Sequence, residues 1–301
     1  MVPLISIVIP TFNRAHTLIG TIDSIVAQNF DKWELIVVDD GSTDNTSVVL
    51  YEYIQKDSRI TYLIRPQNKP KGANSCRNFG VQNARGDYIA FLDSDDQWKQ
   101  SKLEADWELL NQKTNVKGIY SGIIIDNGKF REAKNTRPLH SDESYVDFIF
   151  SKGVMAQTST YMVDSHAVKK IMFDEKLQRH QDLDFFIRFG KEFSWEFLDG
   201  CNTIVNWKKG EESKPHFPSM IRFYEKYRTD ITSKKNHARY LIWAWVQAKK
   251  NNQEYTDYYI RQLKEMFFQV SFEDKLFCLA PNVFYLGWNI FDRIKRNLLS
   301  K

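Results

Sequence analysis

The sequence predicts an α/β protein: a mostly parallel sheet flanked by helices, with a helical extension at its C-terminal end. Three observations predict this class. Short runs rich in β-branched residues alternate with helix-like segments in the first half of the 301 residues. The run at residues 35–38 is apolar throughout, as in a central strand buried on both faces. The last 85 residues instead show helical periodicity.

The first three elements are a strand, a helix and a second strand. The apolar, β-branched run at residues 4–10 predicts the first strand. A helix is predicted over residues 15–28, because Leu18, Ile22 and Ile25 recur on one helical face. The segment WELIVVDD at residues 33–40 predicts the second strand. The turn GSTDNT that follows it carries residues that cap helices.

The alternation continues beyond this turn. We predict a helix ending near residue 56, a strand over 60–65, a helix over 74–84 and a strand over 88–92. The segment MAQTSTYM at residues 155–162 predicts a strand that lines an acceptor site. Helical segments are predicted over 218–250 and 255–270, and Pro281 is suited to begin a final helix.

Composition excludes several classes of protein. With 42% hydrophobic and 27% charged residues and no low-complexity tract, the chain is neither disordered nor fibrous. Its three cysteines are odd in number and far apart, so neither a disulfide framework nor a zinc knuckle is expected. The longest charge-free stretch has 16 residues, whereas a membrane-spanning helix needs about 20. We expect a cytoplasmic protein without a transmembrane helix.

Charge and aromatic content change near residue 216. Residues 1–216 carry 27 basic and 30 acidic side chains, whereas residues 217–301 carry 15 and 8, together with 18 of the 43 aromatic residues. We therefore predict a main domain over 1–216 and a basic, aromatic, helical region over 217–301.

Polar residues follow three of the predicted strands, at the point where each strand ends. They are Thr11, Asn13 and Arg14 after the first, Asp39 and Asp40 after the second, and Asp93, Ser94, Asp95 and Asp96 after the strand over 88–92. An aspartate at a strand end is commonly just a helix cap. Three such groups together predict a ligand site, because open parallel sheets bind ligands outside the carboxyl ends of their strands.

Familiar nucleotide and hydrolase motifs are missing from the sequence. It contains no GxGxxG, GxxxxGK[ST], HExxH or GxSxG segment. Asp93 and Asp95 instead offer oxygen ligands for a hard divalent cation. A second DxD string occurs at Asp182 and Asp184, so a DxD string by itself is weak evidence for a metal site. The string at Asp93 and Asp95 is the stronger candidate because it directly follows a predicted strand.

Four segments resemble, in order, the successive blocks of family 2 glycosyltransferases with the GT-A fold. They are SIVIPTFNR at 6–14, VDDGSTD at 38–44, ANSCRNFG at 73–80 and GDYIAFLDSDD at 86–96. A weaker block, QDLDFFIR at 181–188, resembles the later acidic motif of that family. The resemblance implies an inverting transferase that uses a nucleotide sugar and Mn²⁺ or Mg²⁺. It assigns the nucleotide sugar to residues 1–115 and the acceptor to residues 116–216 of a GT-A domain.

The resemblance also assigns roles to individual residues. Those implied at the nucleotide are Pro10, Thr11, Asn13, Arg14, Asp40, Arg77, Asp93 and Ser94. Asp40 would accept a hydrogen bond from the base, expected to be uracil, and Asp93 would lie near the ribose and metal. Asp95 would bind the metal, and Asp182 would be the catalytic base.

Two departures from the family pattern leave alternatives open. Gln181 stands where many relatives have Glu, and Lys208 and Lys209 lie where many have a histidine in a late loop. Either lysine could neutralise phosphate, or both could belong to a solvated loop. His180 is next to the proposed base and is an alternative to it.

The implied function is transfer of a hexosyl or N-acetylhexosaminyl group to a glycan or lipid-linked saccharide in cell-surface polysaccharide synthesis. The alternative is a catalytically silent nucleotide-sugar or carbohydrate-binding protein. The final helix carries an apolar stripe of Val283, Ile290, Phe291, Ile294 and Leu298 beside Arg293, Lys295 and Arg296, which predicts contact with an anionic membrane surface. Packing of these helices on the catalytic domain is the alternative. Nucleic acid is not an expected partner, because the acidic strand ends repel phosphate.

Overall fold

The computed structural model of the chain describes residues 2–113, 115–134, 136–207 and 215–285. The strands are β1 Ile5–Thr11, β2 Trp33–Asp39, β3 Ile60–Ile64, β4 Tyr88–Phe91, β5 Gln97–Trp98, β6 Gly118–Asp126, β7 Arg131–Lys134, β8 Met162–Asp164 and β9 Trp195–Asn206. The first seven α-helices are α1 Ala15–Val26, α2 Thr46–Lys56, α3 Ala73–Asn83, α4 Lys102–Gln112, α5 Tyr145–Phe150, α6 Ser165–Ile171 and α7 Gln181–Glu192. They are followed by α8 Phe217–Tyr227, α9 Lys234–Asn251, α10 Thr256–Glu265 and α11 Phe272–Leu279.

The strands form one sheet in the order β3-β2-β1-β4-β8-β6-β9-β5, with β7 paired to β6. Strands β1 to β4 are parallel to one another in the order β3-β2-β1-β4, as the alternation with helices predicts. β6 and β9 form a further parallel pair, and β5, β7 and β8 join the sheet antiparallel. The predicted α/β class is confirmed.

The inner strands are buried on both faces, and their side chains alternate between two apolar cores. In β1, Ile7 and Ile9 pack with Leu18 of α1, whereas Val8 packs on the other face with Cys76 of α3. All seven residues of β1 and of β2 are buried. The helices therefore cover both faces of the sheet.

The strand predicted over residues 155–162 is wrong. A 3₁₀ turn occupies Thr158–Thr160, and β8 begins only at Met162. The segment turns because Ser159 makes two hydrogen bonds outside the strand pattern. Its hydroxyl donates to Asp96, and its carbonyl accepts from the indole N–H of Trp98.

The chain divides into two compact units, residues 1–149 with 153–213, and residues 150–152 with 214–301. The second unit contains α8 to α11. The single helical segment predicted over 218–250 is two helices, α8 and α9, and Ser233 caps the second by accepting from the backbone N–H of Asn236. Helix α11 was not predicted.

Many aromatic residues of the second unit form its interior. Phe223, Tyr224, Trp245 and Tyr259 are buried, and the Tyr224 hydroxyl lies 2.7 Å from Nε2 of His237. Much of the aromatic excess is therefore explained by a helical core. Among the described helices, none is both long and apolar enough to cross a bilayer. Apart from Val283, the apolar stripe predicted in the final helix lies outside the described residues.

Candidate active site

The carboxyl ends of β1, β2 and β4 lie at one edge of the sheet and bring three polar loops together. Thr11 is in register with Asp39, and Val8 with Phe91. The loops are linked directly, because the hydroxyl of Thr17 donates to the carbonyl of Ser94 at 3.0 Å. The expected convergence of the strand ends is present.

Asn13 fastens the loop after β1 to the loop after β2. Its backbone N–H donates to the Ser42 hydroxyl at 2.8 Å, and its side-chain oxygen accepts from the Thr43 N–H at 2.8 Å. Its φ of +53° is in the left-handed region that asparagine tolerates. Pro10 and Thr11 are the last two residues of β1 and are buried. These three residues shape the edge of the site.

A cavity of about 290 Å³ lies beside the second loop. Its walls include Asp40, Lys71, Gly72, Asn74, Glu175 and Gln181. Asp40 is held in place, because it is paired with Arg65 and accepts from the backbone N–H of Gly72 at 2.8 Å. Gly72 has a φ of +129°, which few side chains allow. The cavity thus presents a fixed carboxylate among polar groups.

Arg77 is buried and connects three elements. Its guanidinium donates to Asp93 at 2.6 Å, to Gln181 at 2.8 Å and to Asn74 at 3.2 Å. The amide of Gln181, the residue that departs from the family pattern, is thus a neutral partner of this cation. Arg77 thereby ties the loop after β4 to the start of α7.

The three carboxylates after β4 lie in different surroundings. Asp96 is buried, accepting from the Ser159 hydroxyl at 2.6 Å and from the Asn206 N–H at 3.3 Å. Burial, and then the nearby Asp93 and Asp95, raise the pKa of Asp96 well above its usual value. Asp93 and Asp95 keep 37% and 38% of their side chains exposed. These two carboxylates can therefore reach a ligand.

A cation from the first loop approaches the acidic loop. Nε of Arg14 lies 3.7 Å from the Asp95 carboxylate, and both side chains are partly exposed. Such a long, solvated ion pair contributes little stability. Asn206 supports the same loop by donating to the Asp95 carbonyl.

Asp182 lies in the first turn of α7, one residue after the Gln181 that Arg77 holds. Its carboxylate accepts from the Leu183 N–H at 3.0 Å. Burial raises the pKa of Asp182, against the opposing effects of this hydrogen bond and of the Arg77 and Arg179 cations. A carboxyl group with a raised pKa is a better proton acceptor than an ordinary aspartate.

His180 directly precedes α7 and has a φ of +59°. Burial, with a smaller effect from the Arg179 cation, lowers the pKa of His180 to about 3. The ring is therefore neutral at pH 7 and a weak base. Lys208 and Lys209 lie outside the described residues.

Three residues that hold the site carboxylates in place are not indicated by any sequence motif. Ser159 and Asn206 hold Asp96 from 63 and 110 positions away, and Arg65 pairs with Asp40 from 25 positions away. No local pattern marks these residues, since each acts through a tertiary contact. Gln181 alone gave a signal, because it departs from the family pattern.

Comparison with known proteins agrees with this geometry. The profile of glycosyl transferase family 2 matches residues 6–173. The amylovoran biosynthesis glycosyltransferase AmsB of Erwinia amylovora is 33% identical over 209 residues, which are 67% of this chain and 68% of that protein. The putative colanic acid biosynthesis glycosyl transferase WcaA of Escherichia coli K12 is 30% identical over 241 residues, covering 77% of this chain and 85% of WcaA.

A solved structure shares the fold at low sequence identity. The crystal structure of S. aureus TarS 1–349 in complex with UDP-GlcNAc superposes with a TM-score of 0.58 at 18% identity, over 90% of this chain and 77% of that one. The family profile, the sequence relatives and the shared fold all indicate the same family as the sequence segments that resemble family 2 glycosyltransferases. The chain belongs to the family 2 glycosyltransferases and has their GT-A fold.

Proposed function

We propose that this glycosyltransferase moves a sugar from a UDP-linked donor to a hydroxyl of a glycan or lipid-linked saccharide, with inversion, in cell-surface polysaccharide synthesis. One observation carries the proposal: Arg77 joins the loop of Asp93 and Asp95 to the helix that carries Asp182. Arg77 therefore fixes the candidate metal-binding loop relative to the helix that carries the candidate base. The names of AmsB and WcaA support polysaccharide synthesis.

The donor nucleotide is assigned to the cavity beside Asp40. Uracil has an N–H donor that a fixed carboxylate can accept, and Asp40 is fixed by Arg65 and Gly72. The UDP-GlcNAc bound by TarS supports a uridine nucleotide. Either a hexosyl or an N-acetylhexosaminyl group is consistent with such a donor.

Asp95 is the proposed ligand of Mn²⁺ or Mg²⁺. Among the described residues, no three His, Cys, Asp or Glu side chains form a complete metal site. One or two carboxylates nevertheless fit these ions, which keep waters and share substrate phosphates. A bound cation would stabilise the charge of the departing diphosphate. The exposed carboxylates of Asp93 and Asp95 supply the required oxygen ligands.

Asp182 is the proposed general base. In an inverting transfer, the acceptor hydroxyl attacks the anomeric carbon from the face opposite the departing diphosphate, and a carboxylate takes the hydroxyl proton. Arg77 holds α7 beside Asp93 through Gln181, which favours this placement of the base. Alignment of the reacting groups supplies the rest of the rate enhancement.

A panel of nucleotide sugars tests the proposal. We expect one UDP-sugar with Mn²⁺ to raise the melting temperature and to release UDP slowly by hydrolysis, since a ligand at 100 times its Kd stabilises by about 2.7 kcal/mol. Stabilisation without any hydrolysis or transfer would favour the catalytically silent alternative. Stabilisation by GDP-sugars alone would contradict the uracil assignment.

We also propose peripheral contact of the second unit with an anionic membrane. Its described surface exposes large apolar side chains, with Phe268 90%, Phe272 73% and Leu279 72% exposed. Residues 217–301 carry 15 basic against 8 acidic side chains. Exposed apolar groups in a basic region suit an interfacial surface.

Replacing Phe268 and Phe272 together by serine should weaken binding to vesicles of phosphatidylcholine and phosphatidylglycerol by about tenfold or more, since burying one phenylalanine contributes about 1.5–3 kcal/mol. Co-sedimentation measures the change, and added salt should weaken the remaining binding. Phe130→Ser is the matched control, because Phe130 is 59% exposed in the first unit. Equal sedimentation of both variants and the wild type would refute membrane contact.

A further inference from the structure

The second unit contains a cavity of its own, of about 410 Å³, where α8 begins and α9 ends. This volume is within the range of about 300–1,000 Å³ usual for small-ligand sites. Besides two prolines, its lining residues are His216, Phe217, Lys250, Asn251, Asn252 and Tyr255. We call this cavity the C-terminal cleft. None of these residues belongs to the candidate active site.

Each of three polar side chains in the C-terminal cleft makes one hydrogen bond within the protein and keeps a second polar atom for a ligand. Nδ1 of His216 accepts from the Ser219 N–H at 3.2 Å, so the neutral ring carries its proton on Nε2. The amide nitrogen of Asn251 donates to the Gln247 carbonyl at 2.9 Å, which leaves its oxygen as an acceptor. The oxygen of Asn252 accepts from the backbone N–H of Glu254 at 3.2 Å, which leaves its NH₂ as a donor.

These internal bonds fix which groups can serve a ligand. The cleft offers an imidazole N–H, an amide NH₂ and an amide oxygen. Donors and acceptors side by side match the hydroxyls of a saccharide, since a hydroxyl both donates and accepts.

Two further residues of the cleft, Lys250 and Tyr255, indicate that the ligand is an anionic saccharide. Lys250 is exposed and lines the cleft, and an ammonium group forms its strongest hydrogen bonds with anions such as carboxylates. Tyr255 is partly exposed and stacks on the buried Phe217 with ring centroids 5.0 Å apart, which gives the cleft an apolar surface against which the C–H face of a sugar ring can pack.

We propose that the C-terminal cleft binds a saccharide that bears a carboxylate, such as a hexuronic acid unit. Lys250 pairs with the carboxylate, and the side chains of His216, Asn251 and Asn252 bind the hydroxyls. This inference rests on the proposed function in one respect: the ligand is taken to be part of the saccharide chain that the enzyme extends. The cleft would hold a part of that chain.

Calorimetry on the full chain, without donor, tests the proposal with a tetramer of galacturonic acid as the probe. We expect this probe to bind at least about tenfold more tightly than neutral maltotetraose, because one charge-assisted contact is worth about that factor. Lys250→Gln should weaken binding of the acidic probe about tenfold. Lys249→Gln is the matched control, since Lys249 is the preceding residue of the same helix and does not line the cleft.

Three results would overturn the proposal: no binding of the acidic tetramer to the wild type, equal affinity for the two tetramers, or an equal loss in both lysine variants. The last result would show diffuse charge attraction in place of a site. Donor hydrolysis is measured separately on the wild type and on Lys250→Gln, and it should be the same in both. A wild type that binds the acidic tetramer but hydrolyses no donor would contradict the proposed function and leave the cleft supported.

Discussion

Replacing Asp182 with asparagine should lower the rate of sugar transfer by about 10²- to 10⁴-fold, the usual effect of losing a general base. Asparagine keeps the shape of the side chain and can still accept from the Leu183 N–H. Folding and UDP binding should therefore stay near wild type, so that turnover and binding separate. Transfer kinetics and calorimetry with UDP measure the two effects.

The pH profile gives a second readout of the same group. Burial raises the pKa of Asp182 above the ordinary aspartate value of 3.8. The base works only when deprotonated, so the rate should fall as the pH drops through this raised pKa. The acid limb should accordingly lie above the usual aspartate range, and it should be missing in Asp182→Asn.

His180→Asn is the matched control for Asp182→Asn. Asparagine tolerates the left-handed backbone of this position, where φ is +59°. With a pKa lowered to about 3, His180 is too weak a base to carry the reaction well, so this variant should keep most of its activity. An active Asp182→Asn beside an inactive His180→Asn would assign the base to His180.

The sequence predicts the first half of the fold well because local and tertiary preferences agree there. The apolar run Leu35 to Val38 must be buried on both faces, and only a central strand covered by helices allows this. Strand ends of a parallel sheet share one edge, so the convergence of the loops of Asn13, Asp40 and Asp93 followed from topology alone.

Prediction fails where a residue's role depends on a distant partner. The segment around Ser159 resembles a strand, yet the Ser159 hydroxyl donates to Asp96 in the loop after β4, and the Ser159 carbonyl accepts from Trp98 of β5. A pattern of neighbouring residues carries no information about such contacts. The sequence does not predict the break between α8 and α9, because a single capping serine, Ser233, does not stand out within a longer segment of helical periodicity.

The structure also refines the expectation for Arg77. The family resemblance places this residue near the base or diphosphate. Its buried guanidinium donates to Asp93, Gln181 and Asn74, so its main observable effect is to position the acidic loop against α7. Its role at the nucleotide stays a prediction.

Asp95→Ala should abolish the Mn²⁺-dependent part of UDP binding and lower transfer by more than about 10²-fold, because a catalytic metal contributes several kcal/mol. Of the three carboxylates, Asp96 is buried in hydrogen bonds and Asp93 is paired with Arg77 at 2.6 Å, whereas the ion pair of Asp95 with Arg14 spans 3.7 Å. A cation bound at Asp95 would therefore disturb neither the hydrogen bonds of Asp96 nor the pairing of Asp93 with Arg77. Asp31→Ala removes one charge at the opposite end of β2 and should change neither quantity. Calorimetry with UDP, with and without Mn²⁺, decides the matter: if Asp95→Ala binds UDP and Mn²⁺ as tightly as the wild type, Asp95 is not the metal ligand.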